Sequence, residues 1–127
     1  MESEWEMAMI VSAGNGAAAF KLVWATLVNI LGTAATASLM RKAARQGAVA
    51  YPELEGLVVK RDALDYSYQV PPIWKTTERP PALVHLVRRE LFPLLKSLTG
   101  DVVVHRLYRV PELTASGYLP STEVEHA

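Results

Sequence analysis

The stretch Leu31–Arg45, LGTAATASLMRKAAR, places a run of small residues (Gly32 through Ser38) between bulky apolar positions and a cluster of cations. Its reading decides the fold, because the same letters suit a membrane span, a core helix, or a face on which another helix lies. On either side the chain from Ala17 to about Gln46 holds no proline and is rich in alanine and leucine. That composition predicts one long helix, ended by Gly47 and closed off by Pro52.

On a helical wheel Phe20, Trp24, Leu27, Leu31, Ala34, Ala35 and Ser38 form one stripe, tapering from large to small. The opposite side carries Thr26, Asn29, Thr33 and Thr36, interleaved with Leu22 and Met40. A helix with no fully wet face is buried on more than one side. Lys21 is the only charge between Ala17 and Met40, which is length enough to span hydrocarbon. A bitopic protein with one span near 17–40 is therefore one alternative. The hydroxyl and amide side chains favour protein over lipid as the neighbour, since they need hydrogen-bonding partners.

Upstream, residues 1–16 form a lead-in. The acidic MESEWE runs into the apolar WEMAMIVSA, which suits a short helix or strand that docks on something, before Gly14-Asn15-Gly16 breaks the pattern. Downstream, LEGLVVKR and LDYSYQV flank Asp62-Ala63 and predict a β-hairpin. In its second arm Leu64, Tyr66, Tyr68 and Val70 alternate with Asp65, Ser67 and Gln69. In the first arm Leu57 and Val59 face inward, with Lys60 or Arg61 outward. The segment PPIWKTTERPP reads as a loop whose last proline opens a second helix, ALVHLVRRELFPLLKSLTG, stopping at Gly100. Its expected buried stripe is Leu83, Val87, Leu91, Leu94 and Leu98, with a kink or break at Pro93. The β-branched DVVVHRLYRV predicts a third strand, and residues 111–127 a mobile or partner-docked tail.

The expected order is α-β-β-α-β: a single α+β domain over residues 17–110, with a small antiparallel sheet covered on one face by helices. A chain of 127 residues is long enough for one core and too short for two ordinary ones. Thirteen basic residues balance thirteen acidic ones, so no net field draws the molecule to nucleic acid or anionic lipid. With no cysteine, disulfides, thiolate catalysis and cysteine metal sites are excluded. Glu2, Glu4 and Glu6 stand where a secretory leader carries cations, and a cytoplasmic location is expected.

Chemistry-bearing patterns are sparse. His85 has Arg88 and Arg89 beside it, a poor setting for a metal ligand. His105 falls in the expected third strand near Asp101 and Tyr108. His126 with Glu123 and Glu125 matches no zinc spacing. GNGAAAF resembles a glycine-rich phosphate loop only superficially, without the Lys-Ser/Thr that grips phosphates. No catalytic residue, metal or cofactor is expected. Arg41, Lys42 and Arg45 gather at a helix C-terminus, where cations complement the macrodipole. Lys60 and Arg61 join them if the hairpin folds back. An RNA-binding or ligand-sensing module working through this cluster is the second alternative, although no GxxG loop or exposed aromatic pair accompanies it.

Excess apolar helix surface without a catalytic motif favours a protein that acts by association, with itself or as an accessory subunit of an assembly. Trp24, Gly32, Ala35 and Trp74 are the expected interface residues. Trp74 is either a plug closing the core or an exposed anchor.

Overall fold

The computed structural model describes residues 15–63 and 65–119. The lead-in before Asn15, Leu64 of the hairpin, and the tail beyond Leu119 with His126 lie outside the described residues. The fold is α+β: among the described residues, six α-helices and a π-helical segment surround a two-stranded antiparallel hairpin.

The expected single helix is two. α1 (Gly16–Leu31) and α2 (Thr33–Gly47) are separated by Gly32 alone, at φ 90° and ψ 164°. This backbone region is essentially closed to residues with a Cβ. A Cβ on Gly32 would meet nothing within 4 Å. Its glycine is thus a matter of torsion, not of close approach. α1 spans 16 residues and α2 spans 15. Among the described residues no helix is long and apolar enough to cross a membrane.

Gly47 has the opposite origin. It is the last residue of α2 rather than a cap beyond it, and a Cβ there would stand 2.6 Å from Leu54 Cδ1 and 3.2 Å from Glu90 Cγ. It lets α2 seat against the segment Leu86–Leu91.

The hairpin forms as expected. β1 (Val58–Asp62) pairs with β2 (Asp65–Gln69), with Val59 opposite Tyr68 and Asp62 opposite Asp65 across a two-residue turn. One face is covered: Val59 is buried and Tyr66 and Tyr68 are half-buried, while Val58, Lys60, Ser67 and Gln69 are exposed. Ala63 in the turn takes φ 58°, the left-handed region. Arg61 Nε donates to the Ala63 carbonyl at 3.2 Å.

The second long helix runs as α3 (Pro81–His85), the π segment Leu86–Leu91, and α4 (Phe92–Thr99). Pro93 has no N–H, and its ring crowds the carbonyl four residues earlier. The helix takes up one extra residue just upstream, so that the Phe92 N–H donates to the Val87 carbonyl, five residues back. The expected kink or break at Pro93 takes the form of this wide turn. It also rotates α4 about the helix axis, so the buried stripe runs Leu83, Val87, Leu91, Leu95; Leu94 is half-buried and Leu98 is 67% exposed.

The expected third strand is a helix. α5 (Asp101–Tyr108) follows a break at Gly100, where φ is 69°. It buries Val103 and Leu107 at helical spacing. Three consecutive valines signal a strand only if a neighbour strand exists to receive them, and here the packing surface on offer is a helix. The stretch 111–119, part of the expected mobile or partner-docked tail, packs into the core. α6 (Pro111–Ser116) touches α1, and Leu113, Tyr118 and Leu119 are buried. Arg88 donates to the Gly117 carbonyl at 2.6 Å, and the Tyr118 hydroxyl to that of Glu78 at 3.3 Å. The single-domain boundary at residue 110 accordingly falls inside the folded unit.

Candidate contact surface

α2 buries Thr36, Ala37, Met40, Ala43, Ala44 and Gly47, a stripe that packs mainly on the π segment. Arg41 and Arg45, one helical turn apart, flank that stripe on the side of β1. Arg41 Nε donates to the Val59 carbonyl at 3.2 Å, tying helix to strand. In the register of a two-residue hairpin the Asp62–Asp65 pair closes the turn, which leaves the Val59 carbonyl on the outer edge of β1. Arg41 thus occupies part of an otherwise open strand edge.

Below this tie a shallow groove runs between the two elements. Arg41, Arg45 and Val49 line the α2 side, Leu57 and Val58 the β1 side, and Glu55 the lip between them. Ala44, Ala48 and Leu54 contribute to its floor. Val49 is 89% exposed and Val58 36%. These are two of the five large apolar side chains left exposed among the described residues, and both stand on this one groove. The predicted cation cluster is therefore divided. Arg41 and Arg45 share the groove; Lys42 and Lys60 are exposed outside its lining; Arg61 turns back over the Tyr66 ring, its Cζ 5.9 Å from the centroid.

The expected interface residues fall in two places. Trp74 is completely buried and acts as the plug, its indole N–H donating to the Glu53 carboxylate. Trp24 is half-buried. Phe20 lies at the middle, with ring centroids 4.8 Å from Tyr68, 6.1 Å from Trp74 and 6.2 Å from Trp24, and Trp24 meets Tyr68 at 5.0 Å. Burial raises the pKa of the Tyr68 hydroxyl above its ordinary value. Gly32 and Ala35 are exposed at the α1–α2 junction, apart from this aromatic cluster.

The glycine-rich start of α1 uses its own donors. The Asn15 side chain accepts from the Ala18 N–H at 2.8 Å, and the Gly16 N–H donates to the Thr77 carbonyl at 2.8 Å. This is helix capping, with those N–H groups turned to the protein itself.

One pair of polar side chains escapes sequence reasoning. His85 Nε2 and a Glu90 carboxylate oxygen lie 2.8 Å apart, both mostly sheltered. Residues five apart diverge on an α-helix, by about 140°. The wider π turn brings them onto one face. The Tyr51 ring stands 4.9 Å from the imidazole. A carboxylate-oriented histidine is a general-base arrangement in outline. Here it faces Tyr51 and Gly47 and does not line the groove, which makes it a clasp between the π turn and the end of α2. The available signal was Pro93, which foretold the helix irregularity but not the form it takes. His105 lies exposed on α5 rather than in a strand. Among the described residues no group of three histidine or acidic side chains could hold a metal ion.

Comparison with protein-family models, with curated protein sequences and with solved structures yields no match. Function is therefore read from the surface itself.

Proposed function

We propose that this chain acts by association, as a self-associating protein or a subunit of a larger assembly, and that the groove between α2 and β1 is the surface it uses. The observation that carries this reading is the placement of Val49 and Val58 on one groove whose α2 wall bears Arg41 and Arg45. Apolar side chains exposed together and bordered by charge are the make-up of a contact site. The small-residue face at Gly32 and Ala35 offers less area per residue, and Trp24 and Trp74 are engaged in the core.

The test is the mass of the protein in solution, measured by light scattering on a sizing column, for the native chain and for Val49→Asp. The native chain runs as an assembly. The variant, altered only at an exposed position, runs at single-chain mass with an unchanged melting temperature. An assembly that survives Val49→Asp intact contradicts the use of this groove.

A further inference from the structure

The groove has a chemical signature that narrows its occupant. Its α2 wall carries two arginines and its lip one carboxylate, Glu55. The Arg41 guanidinium commits Nε to Val59, and among the described residues its terminal nitrogens remain as donors for an anion. Arg41 and Arg45 are four residues apart on a helix, a rise of about 6 Å. In an extended chain, side chains two residues apart point the same way and repeat every 6.6 Å or so. An extended segment with carboxylates at alternate positions therefore meets both arginines in step, and turns its intervening side chains the other way, toward Leu57 and Val58 on the β1 side.

Outside the described residues two stretches carry carboxylates at alternate positions, Glu123-Val124-Glu125 and the longer MESEWEMAMI, and only the second sets an aromatic side chain between them. In MESEWEMAMI the carboxylates are Glu2, Glu4 and Glu6, the alternate positions are Ser3, Trp5, Met7 and Met9, and there is no basic residue to oppose the arginines. We infer that residues Glu2–Met9 of one copy dock in the α2–β1 groove of a second copy, with carboxylates on Arg41 and Arg45 and with Trp5 and Met7 on the apolar side. This rests on the groove's being the contact surface, and adds the identity of the segment that fills it. Trp5 is the natural anchor, because a large aromatic side chain entering an apolar groove dominates contact energetics.

Because the segment and the groove are different patches, the contact is heterologous: two copies close on each other by exchanging segments, or more copies form a ring or chain. Long-range attraction between three carboxylates and two arginines also makes assembly sensitive to salt.

Charge exchange between full-length chains tests this. One variant reverses the groove (Arg41→Glu with Arg45→Glu) and the other reverses the segment (Glu2→Lys, Glu4→Lys, Glu6→Lys); circular dichroism confirms that each is folded. Each alone runs at single-chain mass in low salt. Mixed in equal amounts they assemble, since the lysine-bearing segment of one now matches the glutamate-bearing groove of the other. The inference is overturned if the segment variant alone assembles as the native chain does, if the mixture stays at single-chain mass, or if the native chain itself does. An assembly containing some other protein in place of a second copy overturns it as well. Val49→Asp separates the two levels. If it dissolves the native assembly while the segment variant does not, the groove stands as the contact surface and the segment is not its occupant; if neither dissolves it, both readings fall.

Discussion

The two strands of the hairpin border apolar regions that are completed in different ways. Beside β2, Tyr68 meets Phe20 and Trp24, and Trp74 closes the cluster from the loop downstream of the strand; the chain fills that region with its own aromatic rings. Beside β1, Leu57, Val58 and Val49 line an open groove, across which Arg41 reaches the Val59 carbonyl. The difference lies in side-chain reach. α1 offers Phe20 and Trp24 where it passes the hairpin. α2 and the turn that follows it offer Ala44 and Ala48, which leave space, and arginines, which keep their charged ends in water. On the proposed reading the closed region carries stability and the open one contact, so substitutions on the two sides have separable consequences.

The largest expected effect is on the closed side. Trp74→Ala removes a fully buried indole and leaves the Glu53 carboxylate without its donor, lowering stability by about 3–5 kcal/mol in chemical denaturation. If it altered assembly mass at unchanged stability, the division between the two sides would break.

The next effect is a pH dependence. The segment downstream of Trp74 reaches Tyr118, whose hydroxyl donates to the Glu78 carbonyl. Burial pushes the Tyr118 pKa up to about 12 from 10.0, with Arg79 partly offsetting the rise. The folded state thus holds the neutral phenol more tightly than the unfolded chain does. That contribution is fully present below pH 10 and is lost as pH rises toward 12, a loss on the order of 2 kcal/mol. Tyr118→Phe flattens this part of the stability profile. An unchanged profile in the variant would remove Tyr118 from the closed region's account.

A smaller effect, of opposite sign, lies at the hairpin tip. Ala63 sits at φ 58°, where an L-residue is strained and glycine is not. Ala63→Gly raises stability by about 0.5–1 kcal/mol, read as an upward shift in denaturation midpoint. It leaves both regions beneath the hairpin untouched.

The smallest stability effect belongs to the open side. Val49→Asp changes unfolding free energy by less than about 0.5 kcal/mol, as surface substitutions do, while it abolishes assembly. Leu98→Asp is its counterpart: Leu98 is also exposed, at 67%, but stands on α4 away from the groove, and its substitution changes neither quantity.

How much of this was legible depends on whether a feature is local. The hairpin was, because alternation in LDYSYQV and the short Asp62-Ala63 link fix both face and register. The burial of Tyr68 followed from the same alternation. Gly32 was visible as a small residue but not as a break, since its role comes from a torsion that no neighbouring letter specifies. The Asp101–Tyr108 helix was misread because valine-rich runs suit either state, and the deciding fact is what surface waits to cover Val103 and Leu107. His85 and Glu90 meet only because the π turn, set by Pro93, shifts the helix by one residue. The groove was half legible. Arg41, Lys42 and Arg45 marked a cationic helix end, yet the division that puts two of them on an apolar groove with Val49 and Val58 needs the hairpin's position in space.

Amide hydrogen exchange measured as a function of protein concentration tests the central claim most directly. On this account, raising the concentration slows exchange in peptides covering Arg41–Val49 and Leu57–Val59 and leaves those covering Phe20–Trp24 and Trp74 unchanged. Protection that grows instead around Gly32–Ser38, or that does not depend on concentration anywhere, contradicts it.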